Sequence, residues 1–350
     1  MEARSAFGGA VALASGLHDA HIMPAGATVT KATKTITRPT SRGDTDRPLV
    51  AGIGISHPDR VLFPAVHATK LDLAQFYAAI ARWILPHLAD RPLTLVHCPK
   101  GVPPAGARKG VDCVFMKHAK AWGPSALRRV RIREKTKVGE YLIADSLPAL
   151  IGLAQMDVLE IHTWNSRFAR LEQPDRVVID LDPGADVTWP AVIEAARIVR
   201  KLLGVLDLES FVKTTGGRGL HVVIPLTPAA DWSECLEFAR ALAMSLVRGD
   251  PARFTERFAK AGRQDKILID YLRNNRTNTS IAAFSTRAKP TAPVSMPLAW
   301  NELSPSVPPD AWTIKTVPKR LASLRSDPWK AYWTSKQRIP RNAVHALEAM

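Results

Sequence analysis

The hydrophobic positions of this chain follow two periods, which together predict a mixture of helices and strands. Apolar residues recur at helical spacing in 70–89, 189–206 and 234–248. Apolar runs of strand length occur at 92–99, 126–134, 140–145, 177–183, 266–272 and 280–288. Because these elements alternate irregularly, with hairpin-like and crossover connections mixed, the pattern predicts an α+β fold with mixed or antiparallel sheets.

Two segments combine elements. Residues 146–162 are predicted as a helix that continues into a short strand ending at His162, and residues 210–226 as strand, glycine turn and strand. His162 is either a strand-end histidine with a structural role or a donor to a nucleotide sugar or phosphate. The chain becomes proline-rich towards its end, where Trp312 and Trp329 are expected to pin it to the core.

The first part of the chain, residues 1–50, is rich in Ala, Gly, Thr, Ser and charge without periodicity, so a disordered tail is expected. Its apolar stretch AFGGAVALASGL is short, and Glu2 precedes it where a signal peptide would be basic. No apolar run is long enough to span a bilayer. The chain is therefore expected to stay in the cytoplasm, without a membrane partner.

The charge of the chain indicates a polyanionic partner. The 350 residues are 46% hydrophobic, as expected of a globular protein, yet the formal net charge is +16. The excess is concentrated, since residues 251–290 hold nine Lys and Arg against three acidic residues. This favours nucleic acid over an anionic membrane surface, and over charge that serves solubility alone.

Three cysteines, Cys98, Cys113 and Cys235, are widely spaced without a CxxC motif. This spacing indicates neither a disulfide framework nor a zinc site. All three are therefore expected to be reduced thiols in the core.

The stretch VVIDLDPG, residues 177–184, places two acids in an apolar strand. Residues two apart on a strand share a face, so Asp180 and Asp182 project together. Two buried carboxylates this close repel each other, and a divalent cation such as Mg²⁺ or Mn²⁺ relieves both the repulsion and the burial cost. The alternative is that Pro183-Gly184 makes Asp182 a simple turn residue.

A third acid strengthens the metal hypothesis. Asp270 ends the apolar run ILI, again as a charge on a buried strand. Three acids that emerge from two apolar strands suit the carboxylate clamp of phosphoryl and nucleotidyl transfer. The alternative is that each acid pairs with an arginine, such as Arg273.

The glycine turn within 213–221 is a candidate phosphate contact. Glycines let backbone N–H groups approach a phosphate, and Thr215 and Arg218 add donors. The segment is not a Walker A loop, because no GK[ST] follows and a strand takes the place of the helix. An ordinary hairpin explains the glycines but not the surrounding Lys213, Arg218 and His221.

Eight segments of the sequence occur in an order typical of one family. These are HPDRVLFP, RPLTLVHCP, VFMKHA, LAQMDVLEIHTWNSR, DRVVIDLDPG, SFVKTTGGRGLHVVIPL, ILIDYLRNNR and AAFSTRA. Together they resemble the polymerase domain of bacterial ligase D, a branch of the archaeo-eukaryotic primase superfamily. The resemblance covers about residues 53–330.

The resemblance implies a primase-polymerase fold with an RRM-like catalytic core and an N-terminal α/β subdomain. It places the polymerase domain at 51–330, with the N-terminal subdomain at 51–150, the catalytic core at 151–300 and a C-terminal extension at 331–350. It also implies a template-dependent nucleotidyltransferase that adds nucleotides, with a preference for NTPs over dNTPs, at gaps and breaks bearing a 5′-phosphate during non-homologous end joining.

The resemblance further implies cofactors and partners. A two-metal site with Mn²⁺ or Mg²⁺ is expected, together with DNA ends and a nucleotide as substrates. No KxDG nucleotidylation motif occurs, so the chain is not expected to seal nicks, and Ku and a separate DNA ligase are expected partners. A bacterial, nucleoid-associated location follows from these partners.

Individual residues match the family's functional positions. The implied metal ligands and catalytic residues are Asp180, Asp182 and Asp270. The implied nucleotide-binding residues are His162, Thr215, Arg218, His221, Arg273 and Arg287. The implied DNA contacts, which include the grip on the 5′-phosphate and a phenylalanine that stacks on a base, are His57, Arg60, Lys70, Phe115 and Arg263.

Two other classes of function remain open at this point. A non-catalytic module that binds DNA ends would keep the fold without the chemistry. A metal-dependent phosphoesterase or nuclease would use the same acids to activate water. The arginine-rich surroundings of the acids favour the polymerase.

Overall fold

Two six-stranded sheets form the framework of the protein. A computed structural model describes residues 47–104, 113–120, 123–259 and 261–350. In chain order the strands are β1 (Leu49–Val50), β2 (Ile53–Gly54), β3 (Val61–Phe63), β4 (Ala68–Thr69), β5 (Leu93–His97), β6 (Val114–Met116), β7 (Arg128–Arg133), β8 (Val138–Ile143), β9 (Val158–Thr163), β10 (Arg176–Pro183), β11 (Phe211–Thr214), β12 (Leu220–Pro225), β13 (Phe254–Thr255), β14 (Ile267–Asp270), β15 (Ser280–Ile281) and β16 (Pro297–Leu298). The helices are α1 (Lys70–Ala79), α2 (Ala81–Leu88), α3 (Leu147–Gln155), α4 (Trp189–Val205), α5 (Trp232–Gly249), α6 (Val317–Ser323) and α7 (Ala343–Ala349).

The first sheet carries the acids identified in the sequence. Its strand order is β13-β14-β10-β12-β11-β16, and every pair is antiparallel except β13 with β14. Helices α4 and α5 pack on β10. Because side chains alternate along a strand, Val177, Ile179 and Leu181 share one face and join the main core.

The other face of β10 continues towards the acids. Val178 lies on this face and packs in a smaller cluster with Phe211, Val223, Trp329 and Tyr332. Trp329 is fully buried and its indole N–H donates to the carbonyl of Val212, which confirms that this residue pins the C-terminal segment. The aromatic cover thus closes the part of the face around Val178.

The second sheet has the order β15-β9-β5-β8-β7, and β6 also pairs with β5. All of its pairs are antiparallel. One antiparallel sheet and one mixed sheet, with helices packed against them, confirm the predicted α+β class. The predicted subdivision of the polymerase domain remains a prediction, since the described chain belongs to one compact unit.

Local structure departs from the sequence pattern at three places. The helix predicted over 70–89 is two helices, because Ile80 leaves helical geometry (φ −103°, ψ 8°) between α1 and α2. The strand predicted over 280–288 is limited to β15, and only an isolated bridge from Thr286 to Val294 follows. Of the tail predicted at 1–50, residues 1–46 lie outside the described residues. Its last two residues are not a tail, because Leu49 and Val50 form β1, which pairs with β2.

The prediction of three reduced cysteines is wrong for two of them. Cys98 and Cys113 form a disulfide, and only Cys235 is a free, buried thiol among the described residues. The two cysteines are 15 residues apart, but antiparallel pairing of β5 with β6 brings them opposite each other. Sequence spacing could not show this, because the pairing of strands decides which cysteines meet.

Gly219 is expected to be essential for the packing of β12 on β10. A Cβ atom at Gly219 would lie 2.3 Å from the carbonyl oxygen of Leu181. Gly219→Ala should therefore lower the free energy of unfolding by about 1–3 kcal/mol through forced backbone shifts. The matched control is Gly204→Ala in α4, where nothing lies within 4 Å, and a stabilisation of about 0.5–1 kcal/mol is expected there. Urea unfolding of both variants measures these changes. The expectation is contradicted if Gly219→Ala leaves the free energy of unfolding unchanged.

Candidate active site

The pairing of strands brings the three predicted acids together. Asp180 lies directly opposite Asp270 in the antiparallel register of β10 and β14. Asp182 follows two residues later on the same face of β10, opposite Leu268. The side chains of Asp180 and Asp270 are only 11% and 10% exposed, whereas that of Asp182 is 53% exposed. Two buried carboxylates and one open carboxylate therefore share one end of the sheet.

Two arginines contact these acids. Arg273 lies in a single turn of 3₁₀-helix after β14, and its Nε lies 3.1 Å from Asp180 Oδ2 and 3.0 Å from Asp270 Oδ2. Arg263 lies 3.2 Å from Asp182 Oδ2. The arginine pairing that the sequence left open as an alternative is therefore present in the structure.

The two buried acids differ in their pKa values. Burial would raise the pKa of Asp180, but the contacts with His221 and Arg273 outweigh it and hold the pKa of this carboxyl well below its usual range. Burial raises the pKa of Asp270 despite the nearby Arg273, and the charge on Asp180 adds to the rise. Burial therefore outweighs the neighbouring arginine at Asp270 but not at Asp180.

His221 lies opposite Asp180 on the other neighbouring strand, β12. Its Nε2 is 3.4 Å from Asp180 Oδ1, and burial together with the charge of Lys213 lowers its pKa to about 4. Burial also lowers the pKa of Lys213 well below its usual value, and the ammonium donates to Ser295 Oγ at 2.6 Å. His221 is therefore neutral near pH 7 and contacts Asp180 as an uncharged ring.

A cavity of about 360 Å³ opens beside the acids and is called the Asp180 cavity below. All six residues predicted for nucleotide binding line this cavity. Its charged and polar lining consists of His162, Asp180, Asp182, Thr215, Arg218, His221, Arg273, Thr279, Ser280, Arg287 and Lys289. Asp270 is not part of this lining and reaches the site through its ion pair with Arg273. The lining cations Arg218, Arg287 and Lys289, called the cationic wall below, supply the positive charge that binding of a triphosphate requires.

Glu160 organises part of this cationic wall, and sequence reasoning missed it. Its carboxylate contacts His162 Nε2 at 2.8 Å and accepts a hydrogen bond from Arg287 Nε at 3.0 Å. Burial would raise the pKa of Glu160, but the bond to His162 and the charge of Arg287 lower it to about 2. The i, i+2 spacing of Glu160 and His162 on β9 was the available signal. Lys289 was also missed, because nothing in its local sequence marks it.

The glycine turn supplies the remaining side of the Asp180 cavity. Gly216 has a positive φ of +67°, and a Cβ atom there would meet Arg287 Cγ at 2.7 Å. Thr215 Oγ1 accepts from the backbone N–H of Gly217 and donates to the carbonyl of Gly219. Arg218 lies along the rim, where its guanidinium donates to two backbone carbonyls. The predicted turn therefore does lie at the candidate triphosphate site.

A second pocket, of about 490 Å³, contains the residues predicted to grip a 5′-phosphate and is called the Lys70 pocket below. His57, Arg60 and Lys70 line it, together with Asp157, which the sequence did not single out. Asp157 lies 3.1 Å from Arg60 Nη2 and 3.0 Å from Lys70 Nζ. Burial lowers the pKa of Lys70, and the attraction of Asp157 opposes this. Two cations around one carboxylate leave this pocket positively charged.

Phe115 lies on β6 rather than in the lining of the Lys70 pocket. Its side chain is 61% exposed, and its ring centroid lies 5.8 Å from that of His162 at the Asp180 cavity. Val114 beside it is also exposed. Exposed aromatic rings on a strand next to basic pockets suit stacking on a nucleic-acid base.

The donor set around Asp180 fits a hard divalent cation. Asp180, Asp182 and Asp270 supply carboxylate oxygens from adjacent strands, the ligand type that Mg²⁺ and Mn²⁺ prefer. Within the described ranges, no three His, Cys, Asp or Glu side chains are already spaced to share one ion. Arg273 contacts two of the three acids.

Carboxylates on adjacent strands, two of them in the lining of a cavity that also holds several cations, are the arrangement expected of a nucleotidyltransferase of the primase-polymerase class. Residues 69–329 match the family model described as the primase-polymerase domain of LigD. The chain belongs to this LigD primase-polymerase family.

Relatives with known names agree with this assignment. The chain is 38% identical over 294 residues to the multifunctional non-homologous end joining protein LigD of Pseudomonas aeruginosa. The aligned region covers 84% of this chain and 34% of that protein. It is 34% identical over 254 residues to the protein of the same name from Mycolicibacterium smegmatis, covering 72% of this chain and 32% of that protein. The chain thus spans about a third of the length of these relatives.

A solved structure is similar over most of the fold. The polymerase domain of Mycobacterium tuberculosis ligase D in complex with DNA superposes with a TM-score of 0.74 at 30% identity. The match covers 81% of this chain and 99% of that one. The shared fold confirms the architecture predicted from the resemblance.

The low pKa of Glu160 predicts a pH-dependent contribution to stability. A carboxyl whose pKa falls from 4.5 to about 2 on folding stabilises the protein above pH 4.5, and this contribution is lost as the pH falls towards 2. Glu160→Gln should therefore cost on the order of 3 kcal/mol at pH 7 and progressively less between pH 4.5 and pH 2.

Urea unfolding across this pH range would test the prediction. The control is Glu140→Gln, which removes a 43% exposed carboxylate paired with Arg129 and should cost less than about 1 kcal/mol at any pH. If Glu160→Gln lowers the free energy of unfolding by the same amount from pH 7 to pH 2, the assigned ionisation of Glu160 is wrong.

Proposed function

We propose that this chain is a template-dependent nucleotidyltransferase that extends 3′ ends at gaps and breaks of DNA. The observation that carries the proposal is the register that sets Asp180 opposite Asp270 beside the Asp180 cavity. Carboxylates and cations around one cavity suit the binding of divalent ions and of a triphosphate, the two requirements of nucleotidyl transfer.

The residues of the chain have distinct roles in this proposal. Asp180, Asp182 and Asp270 would hold Mg²⁺ or Mn²⁺, in a two-metal arrangement. When bound, such ions lower the pKa of a 3′-hydroxyl and offset charge on the phosphates. Polymerases of this family are metal-dependent, and the choice between the two ions is part of the proposal.

The cationic wall binds the NTP or dNTP. Arg218, Arg287 and Lys289 line the Asp180 cavity and supply charge-assisted donors to the triphosphate, whose negative charge increases during transfer. Burial lowers the pKa of His162, so the ring is largely neutral at pH 7, and Glu160 orients it. A neutral, oriented imidazole is suited to a sugar hydroxyl, and the preference for ribonucleotides is proposed to depend on it.

The Lys70 pocket is proposed to bind the 5′-phosphate on the far side of a gap. Lys70 and Arg60 converge on Asp157 and leave a net positive charge in a recess. A terminal phosphate carries more charge than an internal diester, so two cations discriminate in its favour. Phe115 would stack on a nearby base, and Arg263 would contact the template side.

The cellular setting of the proposal is non-homologous end joining. DNA ends are the proposed macromolecular substrate, with Ku and a separate DNA ligase as partners in a nucleoid-associated, cytoplasmic location. The relatives are named for this process. Among the described residues, no helix is long and apolar enough to cross a membrane.

One observation favours a second candidate, a non-catalytic module that binds DNA ends. Arg273 Nε contacts both buried acids, so a cation of the chain itself already pairs with them. Incorporation of a labelled nucleotide separates the candidates, since a non-catalytic module gives no extension. Incubation of labelled DNA with Mn²⁺ and no nucleotide separates both from a nuclease.

Removal of one acid tests the metal assignment. Asp180→Ala should lower primer extension by roughly a thousandfold or more, because metal ions supply several kcal/mol of transition-state stabilisation. Its affinity for DNA should stay close to that of the wild type. Asp186→Ala is the matched control, since this exposed carboxylate does not line the Asp180 cavity. Extension by Asp180→Ala in Mn²⁺ at the wild-type rate would remove the metal assignment.

Removal of the Lys70 ammonium tests the proposed binding of the 5′-phosphate. Lys70→Ala should weaken binding to a gapped duplex that bears a 5′-phosphate by about tenfold, since a charge-assisted contact is lost. The same duplex without the phosphate should be affected little. Lys201→Ala, which removes an exposed lysine on α4, controls for general loss of charge. Equal weakening of both duplexes by Lys70→Ala would show that Lys70 does not read the phosphate.

A further inference from the structure

The disulfide lies at one end of a very short strand pair. Cys98 directly follows β5, and Cys113 directly precedes β6. His97 pairs with Val114, so the two cysteines form the next opposed position of the same antiparallel ladder. The disulfide therefore closes the end of the β5–β6 pair with a covalent bond.

Strand β6 is anchored at its C-terminal side, where Lys117 and His118 contact Glu134 and the N–H of Ala119 donates to the carbonyl of Glu140. It has three residues and pairs only with β5 in the described sheet. Val114 and Phe115 are 52% and 61% exposed, and only Met116 is buried. Because a short strand pair with little buried apolar surface is marginally stable by itself, the bond to Cys98 is what holds the N-terminal end of β6 to β5 beyond the ladder.

The same bond lies next to both candidate pockets. Phe115 is two residues from Cys113, and its ring lies 5.8 Å from His162 at the Asp180 cavity. His97, next to Cys98, lines the Lys70 pocket. On the other side of Cys98, the carbonyl of Pro99 accepts a hydrogen bond from Arg60 Nη1 at 2.5 Å. A change at the disulfide therefore reaches the nucleotide site and the phosphate site through residues adjacent in sequence.

We infer that the Cys98–Cys113 disulfide is a redox-sensitive positioning device for the DNA-end site. In the oxidised chain the bond fixes the N-terminal end of β6, so that Phe115 is held beside His162 at the Asp180 cavity. In the reduced chain β6 keeps its short ladder and the anchors that follow it, but its N-terminal end is released, so Phe115 and the site for the DNA end are less ordered. This inference rests on the proposed function, because it concerns how the same site binds a gapped duplex.

The chemistry is thiol–disulfide exchange with a dithiol reductant. Cys113 is half-buried and Cys98 fully buried, so a thiolate reaches the sulfur of Cys113 first. The sulfur–sulfur bond breaks, and its electron pair leaves on Cys98 Sγ, which takes up a proton. The second thiol of the reductant then displaces Cys113 as a thiol and forms the disulfide of the reductant. Two electrons and two protons thus pass to the protein.

The test compares the oxidised and the dithiothreitol-reduced full chain. Reduction is expected to weaken binding to a gapped, 5′-phosphorylated duplex by about five- to tenfold. This factor corresponds to the lower part of the free-energy range for stacking one base on an aromatic side chain. In primer extension the KM for this duplex should rise while kcat changes little. Thermal unfolding of both forms, and binding to an ungapped duplex, measure any general effect on the fold.

Cysteine variants identify the bond responsible. Cys98→Ser and Cys113→Ser should each bind as the reduced wild type does and no longer respond to the reductant. Cys235→Ala removes the buried free thiol and should keep the full response. The inference is overturned if thiol labelling finds all three cysteines free in the oxidised preparation, if both forms bind the gapped duplex equally, or if the ungapped duplex loses affinity to the same degree.

Failure of this inference is distinguishable from failure of the proposed function. If Lys70→Ala remains selective for the 5′-phosphate while reduction has no effect, only the role of the disulfide is wrong. If Lys70→Ala shows no selectivity and Asp180→Ala still extends primers, the proposed function itself is wrong.

Discussion

The antiparallel pairing of β10 with β12 and β14 is the constraint on which the site depends. Backbone hydrogen bonds in this register place His221 and Asp270 on either side of Asp180. A slip of one residue in either pair would turn the acids to the helix-covered face, where buried charge is costly. The apolar residues of β10 that pack under α4 and α5 exclude that slip, so the hydrophobic core fixes the positions of the acids.

Buried carboxylates recur as organisers of cations in this protein. Glu160 orients Arg287 at the Asp180 cavity, and Asp157 orients Arg60 and Lys70 at the other pocket. In each case one carboxylate is surrounded by a larger number of basic or donor groups, so the pocket keeps a positive charge while its side chains are held in place. Such a preorganised arrangement reduces the entropy lost when an anionic ligand binds.

The disulfide connects these two cationic sites to the edge of the second sheet. Strand β6 presents an exposed aromatic ring but little buried surface, which suits a ligand-binding element and leaves its position dependent on other bonds. The acids and the Asp180 cavity lie within the segment that matches the LigD primase-polymerase family, as does Lys70. Only the pairing of β5 with β6 accounts for the position of the disulfide.

The sequence by itself determined the elements and most of the chemistry. Period-two and helical patterns identified the long helices and the central strands, because burial of one face imposes a period on the chain. Asp180 and Asp182 were recognisable as a pair because strand geometry alone puts them on one face. The apolar run before Asp270 marked the third acid, and the ordered motifs added the family and the residues expected to grip a 5′-phosphate.

Tertiary structure decided whatever depends on contacts between distant segments. Sequence could not show that Asp270 lies opposite Asp180, that Arg273 contacts both, or that Glu160 holds Arg287, because strand register and ion pairs are set by packing of the whole chain. The same reason explains why Cys98 was expected to be a free thiol: a disulfide requires two cysteines within a few ångströms, and only the fold brings them there.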